Sequence, residues 1–207
     1  MNFCGVEFDL PSSPAGILAS GGADSSLVLY LLMKYSDQPL HIFTLSNKQK
    51  NFTNSILISS IVNYCIKKTG RNNIQLHTTF AEVHTAKNLY HTPFTYLKNN
   101  LINKLYIGDT CWPPDEINAS FVNEYDTFQN KQDRSPHVIR PTTWKQFYLP
   151  FTNHNKKKIA EIYQEENIMD LFTLTRSCES LDNIGNEHCG KCWWCQERAW
   201  AFDLTTG

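Results

Sequence analysis

A loop of glycines and hydroxyl side chains, Ser20–Ser26, contains the first residues of this chain that could do chemistry. The apolar run before it, Gly16–Ala19, is typical of a buried parallel strand, and the apolar run after it, Leu27–Tyr35, is long enough for a helix. Glycines let a backbone approach an anion closely, hydroxyls donate hydrogen bonds, and a helix N-terminus offers unpaired N–H groups and a positive dipole end. The pattern predicts a site for nucleotide phosphates. Its residues are Ala19, Ser20, Gly21, Gly22, Ala23, Asp24, Ser25, Ser26 and Leu27.

This loop differs from a Walker A motif, because it has neither the lysine nor the spacing of that motif. The simplest alternative is a turn in which Asp24 or Ser25 caps a helix and no ligand binds. The strand–loop–helix context favours phosphate binding over that alternative.

Four cysteines near the C-terminus, Cys178, Cys189, Cys192 and Cys195, follow the spacing C-x10-C-x2-C-x2-C. Thiolates on tight turns suit a tetrahedral Zn²⁺ ion, and a closed four-sulfur site is structural rather than catalytic. Such an ion would stabilise a tail too short to build its own core. The alternatives are a group of buried thiols, or a site in which His188 replaces one cysteine.

Three tryptophans and one further cysteine can be explained by packing. Trp193, Trp194 and Trp200 form a stacking surface for a base or, more simply, pack the cysteine segment against the main domain. Cys65 lies on the apolar face of a predicted helix, and we expect it in the core.

The elements that would position these residues alternate between strands and helices. Strands are predicted at Gly16–Ala19, Leu40–Leu45, Ile74–Thr78 and Lys104–Gly108, and helices at Leu27–Tyr35, Phe52–Lys68, Phe94–Lys104 and Asn155–Asn167. This alternation predicts an α/β fold with a doubly wound, Rossmann-like parallel sheet, in which ligands bind at the carboxyl ends of the strands. We expect the loops after Ala19, Leu45 and Ile107 to meet there.

The chain is predicted to have two parts. Residues 1–172 form a nucleotide-binding α/β domain, and residues 173–207 form a small zinc knuckle packed on it. Within the first part, residues 111–151 are rich in Pro, Asn and Asp and show weak periodicity, so we predict a loop-rich segment that covers the site.

Composition excludes several classes of protein. Of 207 residues, 41% are hydrophobic, which is enough for a core, and no apolar run approaches the length of a membrane span. The net charge of −1 gives no broad electrostatic attraction to nucleic acid, and Lys156–Lys158 is too short a cluster to change that. Seven cysteines suit a reducing compartment, and the first residues lack a basic leader pattern, so we expect a cytoplasmic protein.

Ser20–Ser26 resembles the signature of the PP-loop ATP pyrophosphatases, and the cysteine pattern narrows the resemblance to the 7-cyano-7-deazaguanine synthase family. The matching segments are Leu18–Ser26, Leu105–Gly108, Pro150–Phe151 with Lys156 and Ile159, Thr175–Cys178, Cys189–Cys192 and Cys195–Arg198. They are spread over most of the chain, and the cysteine segment is the most specific of them.

The resemblance implies an ATP-dependent C–N ligase that uses Mg²⁺ and Zn²⁺. Such enzymes adenylate the carboxylate of 7-carboxy-7-deazaguanine, form the amide with ammonia, and dehydrate it to the nitrile after a second activation. The implied roles are pyrophosphate binding for Ser20–Ser26, and helix capping or Mg²⁺ placement for Asp24. Lys156 is the candidate contact to a phosphate or carboxylate, with a plain surface lysine as the alternative. The implied partners are ATP and a deazapurine, with an amine on a protein as another acceptor and a homodimer as a state to test.

The segments between these matches depart from the family. After the second strand the family has a Tyr-Gly-Gln run followed by His and Glu, whereas this chain has Ser46–Lys50. Beyond Gly108 its Asp-Cys-Arg-Pro-Glu-Phe type of substrate segment is replaced by Asp109–Phe121. A Pro-Gly-Arg-Asn type of loop is absent, and the first two cysteines lie two residues further apart than the family pattern. The sequence thus indicates a divergent member with a changed acceptor or nucleophile.

Two other functions stay open at this point. A tRNA-modifying PP-loop enzyme, for example a thiolase, predicts a basic surface and an active-site cysteine pair. The near-neutral net charge and the lack of a second C-x2-C motif count against it. A catalytically inactive partner subunit is compatible with the changed substrate segments, but the intact loop argues against it.

Overall fold

The computed structural model describes residues 1–47, 54–121, 134–178 and 188–204. The strands are β1 (Asn2–Phe3), β2 (Val6–Glu7), β3 (Ala15–Leu18), β4 (Leu40–Asn47), β5 (Ile74–Ala81), β6 (Lys104–Ile107), β7 (Thr143–Trp144) and β8 (Phe147–Tyr148). The helices are α1 (Ala23–Tyr35), α2 (Asn54–Thr69), α3 (Ala86–Lys98), α4 (Asp115–Ser120), α5 (Lys156–Glu165), α6 (Met169–Leu174) and α7 (Trp193–Ala201).

Six strands form one sheet in the order β5-β4-β3-β6-β8-β7. All neighbours from β5 to β8 pair in parallel, and β7 pairs antiparallel with β8 at one edge. The central strand β3 aligns Ile17 with Ile42 of β4 and with Tyr106 of β6. The predicted doubly wound parallel sheet is therefore confirmed.

Both faces of the sheet are covered, because successive side chains of a strand point to opposite faces. Ile17, Ile42 and Tyr106 belong to the larger core, which they share with residues of α1, α2, α5 and α6. The next residues on two of these strands, Leu18 and Phe43, belong to a second core with Leu97 of α3. This two-sided burial explains why the strands are continuous apolar runs.

Some predicted boundaries are wrong for local reasons. The third helix was expected at Phe94–Lys104, but α3 spans Ala86–Lys98. It begins early because the Thr85 side chain accepts a hydrogen bond from the N–H of Asn88, which caps the helix. It ends before Asn100, which has a positive φ of 56°, and Lys104 is already in β6.

The first helix starts four residues earlier than the predicted Leu27, at Ala23. The predicted beginning of the second helix at Phe52 lies outside the described residues, and within them the helix starts at Asn54. Helices α6 and α7 were not predicted. None of the helices in the described parts of the chain combines the length and apolar character that crossing a membrane requires.

The described residues of the segment 111–151, which are 111–121 and 134–151, include regular secondary structure that was not predicted. The segment contains α4 and the short strands β7 and β8, and β8 extends the main sheet beside β6. Phe147 and Tyr148 of β8 are buried in the two cores, one on each face of the sheet. Its described residues therefore continue the α/β domain, in addition to forming loops.

Candidate functional site

The predicted phosphate loop follows β3 and folds on itself through its hydroxyl groups. The N–H of Ser20 donates to Ser25 Oγ over 3.2 Å, and the N–H of Gly22 donates to Ser20 Oγ over 3.3 Å. Ser25 Oγ in turn donates to the carbonyl oxygen of Gly22 over 3.3 Å. These bonds hold the loop in one conformation at the carboxyl end of the central strand.

Two glycines of this region are required by close contacts. Gly21 has a φ of +84°, and a Cβ at this position would lie 2.5 Å from Leu57 Cδ2. Gly108, directly after β6, would place a Cβ 2.7 Å from the backbone nitrogen of Ser25. The end of β6 thus packs against the first turn of α1, which leaves no room for a side chain.

The beginning of α1 differs from the helix-capping alternative. Gly22, not Asp24 or Ser25, is the N-cap, and it makes no side-chain capping bond. Asp24 lies in the first turn of the helix, where a negative charge is favourable. The loop therefore presents a helix N-terminus without a side-chain cap, the arrangement that binds phosphates.

Lys156 is buried beside the loop. Its ammonium nitrogen lies 3.3 Å from Asp24 Oδ2 and 2.6 Å from Glu197 Oε2. The side chains are 3%, 17% and 0% exposed for Lys156, Asp24 and Glu197. The alternative of a surface lysine is therefore wrong for Lys156, although it describes its exposed neighbour Lys157.

Burial and charge act in opposite directions on these groups. Burial lowers the pKa of Lys156, but the carboxylates of Asp24 and Glu197 outweigh burial and the pKa of Lys156 is raised. Lys156 is therefore charged at neutral pH. Burial raises the pKa of Asp24, and the charge of Lys156 opposes that rise.

A cleft of about 200 Å³ opens over this group. The lining residues include Ser20, Gly22, Asp24, Ser25, Asn54, Gly108, Asp109, Arg134, Lys156, Arg176, Ser177, Cys178 and Trp194. Four of the nine predicted loop residues therefore line the cleft. Of the others, Ala19, Ala23 and Leu27 belong to the core, and Gly21 and Ser26 are buried.

Arg134 adds a second cation to the cleft. Its guanidinium donates to the carbonyl oxygen of Thr110 over 2.6 Å and to Thr110 Oγ1 over 2.8 Å, and it lies 5.8 Å from the ring of Trp194. Neither Arg134 nor Trp194 was assigned to the site from the sequence, although Trp194 was considered as a stacking surface. They come from segments far apart in the chain, and no local pattern marks them.

The four cysteines converge as predicted. The ligand atoms of Cys178, Cys189, Cys192 and Cys195 lie within 4.8 Å of one another. Burial and the charge of Arg198 lower the pKa of His188 to about 4, and its Nδ1 lies 3.7 Å from Cys195 Sγ. His188 is thus a neutral neighbour of a complete set of four thiols.

The chemistry of these donors fits the two predicted metal ions. Four sulfur atoms so close together match the tetrahedral donor set of structural zinc. In the described structure, Oδ1 of Asp24 is buried without a hydrogen-bond partner. A hard carboxylate oxygen of this kind, beside a phosphate loop, suits Mg²⁺.

The cysteine segment is tied to the phosphate loop. The N–H of Arg176 donates to the carbonyl oxygen of Gly21 over 2.9 Å. Arg198, three residues after Cys195, donates to Thr175 Oγ1 over 2.7 Å. The knuckle and the loop therefore share one packed unit.

Comparison with known protein families gives a match to part of the chain. Residues 11–90 match the family model described as asparagine synthase, a PP-loop ATP pyrophosphatase domain, over less than half of the chain. No curated protein matches the sequence.

Two solved structures are similar at the level of the overall chain path. An NMN synthetase from Francisella tularensis is 12% identical with a TM-score of 0.48, over 91% of this chain and 83% of the other. The U34-tRNA thiolase NcsA from Methanococcus maripaludis, with its [4Fe-4S] cluster, is 10% identical with a TM-score of 0.48, over 97% and 67%. The residues matched by the asparagine synthase family model, 11–90, include the loop Ser20–Ser26.

Proposed function

We propose that the protein is an ATP-dependent ligase that activates a carboxylate as its adenylate and releases pyrophosphate. The observation that carries this proposal is the cleft in which the loop, Asp24 and Lys156 meet at the carboxyl end of β3. Ser20, Gly22 and Ser25 line the cleft at the N-terminus of α1, whose positive dipole end favours phosphates, and Lys156 supplies a buried positive charge. Positioning and charge stabilisation of this kind are what phosphoryl and nucleotidyl transfer need most.

In the proposed reaction, a carboxylate oxygen of the substrate attacks the α-phosphorus of ATP. The bond between that phosphorus and the bridging oxygen to the β-phosphate breaks, and pyrophosphate leaves with the electron pair. Loop donors and Lys156 are placed to stabilise the charge that develops on pyrophosphate. Mg²⁺ held by Asp24 would screen the phosphate charges when it is bound.

Ammonia, or another amine, then attacks the acyl carbon. The acyl–oxygen bond breaks, AMP leaves, the nitrogen loses a proton, and an amide is formed. In a nitrile-forming enzyme, a second ATP activates the amide oxygen in the same way, and loss of AMP with two protons gives the nitrile.

The proposed substrate, whose carboxylate accepts the adenylyl group, is a 7-deazaguanine carboxylate such as 7-carboxy-7-deazaguanine. The basis for this choice is the resemblance of the loop, Lys156 and cysteine segments to the 7-cyano-7-deazaguanine synthases. Two features of the cleft are compatible with it. Trp194 offers an aromatic face for a planar base, and Arg134 offers a cation for a carboxylate.

The test is to incubate purified protein with ATP, Mg²⁺, 7-carboxy-7-deazaguanine and ammonia, and to measure AMP and pyrophosphate. The proposal expects both products in equal amounts, and their loss in the Ser20→Ala/Asp24→Ala variant. No product above that variant would exclude this acceptor. A tRNA substrate and a protein amine would then be tried, to distinguish a tRNA-modifying enzyme from a ligase with another acceptor.

A further inference from the structure

Glu197 is the most deeply buried charged side chain of the cleft region, although it does not line the cleft. It lies on α7, its side chain is 0% exposed, and its Oε2 is 2.6 Å from the ammonium nitrogen of Lys156. A carboxylate is expensive to bury unless a cation compensates it. Lys156 supplies that compensation, since it is itself 3% exposed.

Lys156 is shared unequally between two carboxylates. Asp24 Oδ2 is 3.3 Å away, compared with 2.6 Å for Glu197. One ammonium group thus faces two carboxylates. Within the described structure each carboxylate has a second oxygen that is buried without a hydrogen-bond partner, Asp24 Oδ1 and Glu197 Oε1. Asp24 lines the cleft and Glu197 does not, so the unpartnered oxygen of Asp24 is the one that lies beside the cleft.

We infer that Glu197 is a positioning residue that balances Lys156 and so leaves the Asp24 carboxylate available to the Mg²⁺ of a bound nucleotide. The inference rests on the proposed nucleotide site. Without Glu197, Asp24 would be the only carboxylate among the described residues that pairs with Lys156. Mg²⁺ would then have to compete with the ammonium group for the same carboxylate.

The Glu197→Gln variant separates this role from simple packing, because glutamine keeps the shape and removes the charge. We expect the Mg²⁺ concentration that gives half-maximal nucleotide binding to rise on the order of tenfold, the size expected when a hydrogen bond to a charged group is redistributed. Binding of nucleotide at saturating Mg²⁺ should change much less.

The probe is α,β-methylene-ATP, which cannot be cleaved at the bond of interest, titrated by calorimetry at a series of Mg²⁺ concentrations. Glu161→Gln is the matched control, because Glu161 lies on α5 and pairs with the partly exposed Lys158 away from the cleft. Glu197→Asp keeps the charge and should show an intermediate Mg²⁺ requirement. The double variant Lys156→Gln/Glu197→Gln removes the competing cation and should return the Mg²⁺ requirement towards that of the unaltered protein.

Three results would overturn the inference. The first is a Glu197→Gln protein with an unchanged Mg²⁺ requirement. The second is a double variant that needs as much Mg²⁺ as Glu197→Gln, which would indicate a packing effect. If Glu197→Gln does not fold, the Glu197→Asp variant is tested in its place. The third contradicting result is then a Glu197→Asp protein whose Mg²⁺ requirement equals that of the Glu161→Gln control. An unaltered protein that binds no nucleotide at any Mg²⁺ concentration would instead overturn the proposed function, and the inference with it.

Discussion

The backbone N–H of Arg176 donates a hydrogen bond to the carbonyl oxygen of Gly21 over 2.9 Å. Arg176 precedes Cys178, the first cysteine of the cluster, by two residues. Gly21 is the residue of the phosphate loop with a positive φ. This bond connects the predicted zinc knuckle to the loop. Loss of a metal ion from the cysteines should therefore change the nucleotide site.

Removal of the metal should therefore affect both stability and nucleotide binding. We expect about one zinc ion per chain, and its loss in a Cys189→Ser variant, because three thiolates leave the shell incomplete. Elemental analysis measures the metal content, thermal unfolding measures the loss of stability, and calorimetry with ATP measures the loss of nucleotide affinity. Cys4→Ser is the control, since Cys4 lies outside the cluster. A metal-free protein of unchanged unfolding temperature would contradict this account of the cysteines.

Gly21→Ala should weaken nucleotide binding more than its backbone strain alone explains. An alanine at a positive φ costs about 1 kcal/mol. At Gly21 the new Cβ would also lie 2.5 Å from Leu57 and displace the loop. Gly5→Ala is the matched control, because Gly5 has the same φ of +84° with nothing within 4 Å of a Cβ. Equal losses of stability in the two variants, with ATP binding intact in both, would show that the contact with Leu57 does not determine the conformation of the phosphate loop.

Trp194 should report nucleotide binding through its fluorescence. Its ring lines the cleft, with Arg134 at 5.8 Å and the ammonium nitrogen of Lys156 at 5.9 Å. We expect ATP with Mg²⁺ to change the emission of the unaltered protein and of a Trp144→Phe variant, because Trp144 lies in the edge strand β7. The change should be absent in Trp194→Phe. A signal that survives in Trp194→Phe would mean that the nucleotide does not reach this ring.

A histidine pair on β4 and β5 should contribute to a fall in stability between neutral and mildly acidic pH. His41 Nδ1 lies 3.1 Å from His77 Nε2. Burial lowers the pKa of His41, and burial with the charge of His41 lowers the pKa of His77. The unfolded chain binds protons first as pH falls below about 6.5, so the contribution of the pair to stability is complete above that pH and decreases below it.

Thermal unfolding between pH 7.5 and 5.5 tests this dependence. The His41→Gln/His77→Gln variant should lose less stability on acidification than the unaltered protein, whereas substitution of the exposed His84 should not alter the pH dependence. A double variant with the same pH dependence as the unaltered protein would refute the assignment to this pair.

Local patterns were sufficient for the parts of the fold that local chemistry determines. The apolar runs at β3 and β4 predicted buried parallel strands, and the glycines of Ser20–Ser26 predicted the loop between β3 and α1. The close spacing of Cys189, Cys192 and Cys195 predicted that these three thiols would lie together.

Features that depend on distant segments could not be predicted in this way. Strand β8 has two residues, and it is recognisable as a strand only because it pairs with Leu105 and Tyr106 of β6. The ion pairs of Lys156 join Asp24 and Glu197, residues more than a hundred positions apart. The only sequence signal for Glu197 was its place within Cys195–Arg198, two positions after a predicted metal ligand.

The central claim is that an oxygen of the substrate carboxylate attacks the α-phosphate of ATP. The most direct measurement uses 7-carboxy-7-deazaguanine labelled with ¹⁸O in its carboxylate, with ATP, Mg²⁺ and ammonia, and determines the isotope content of the nucleotide product by mass spectrometry. The account predicts AMP that carries one ¹⁸O atom in its phosphate, together with unlabelled pyrophosphate. Unlabelled AMP, or ADP with inorganic phosphate as the products, would contradict it.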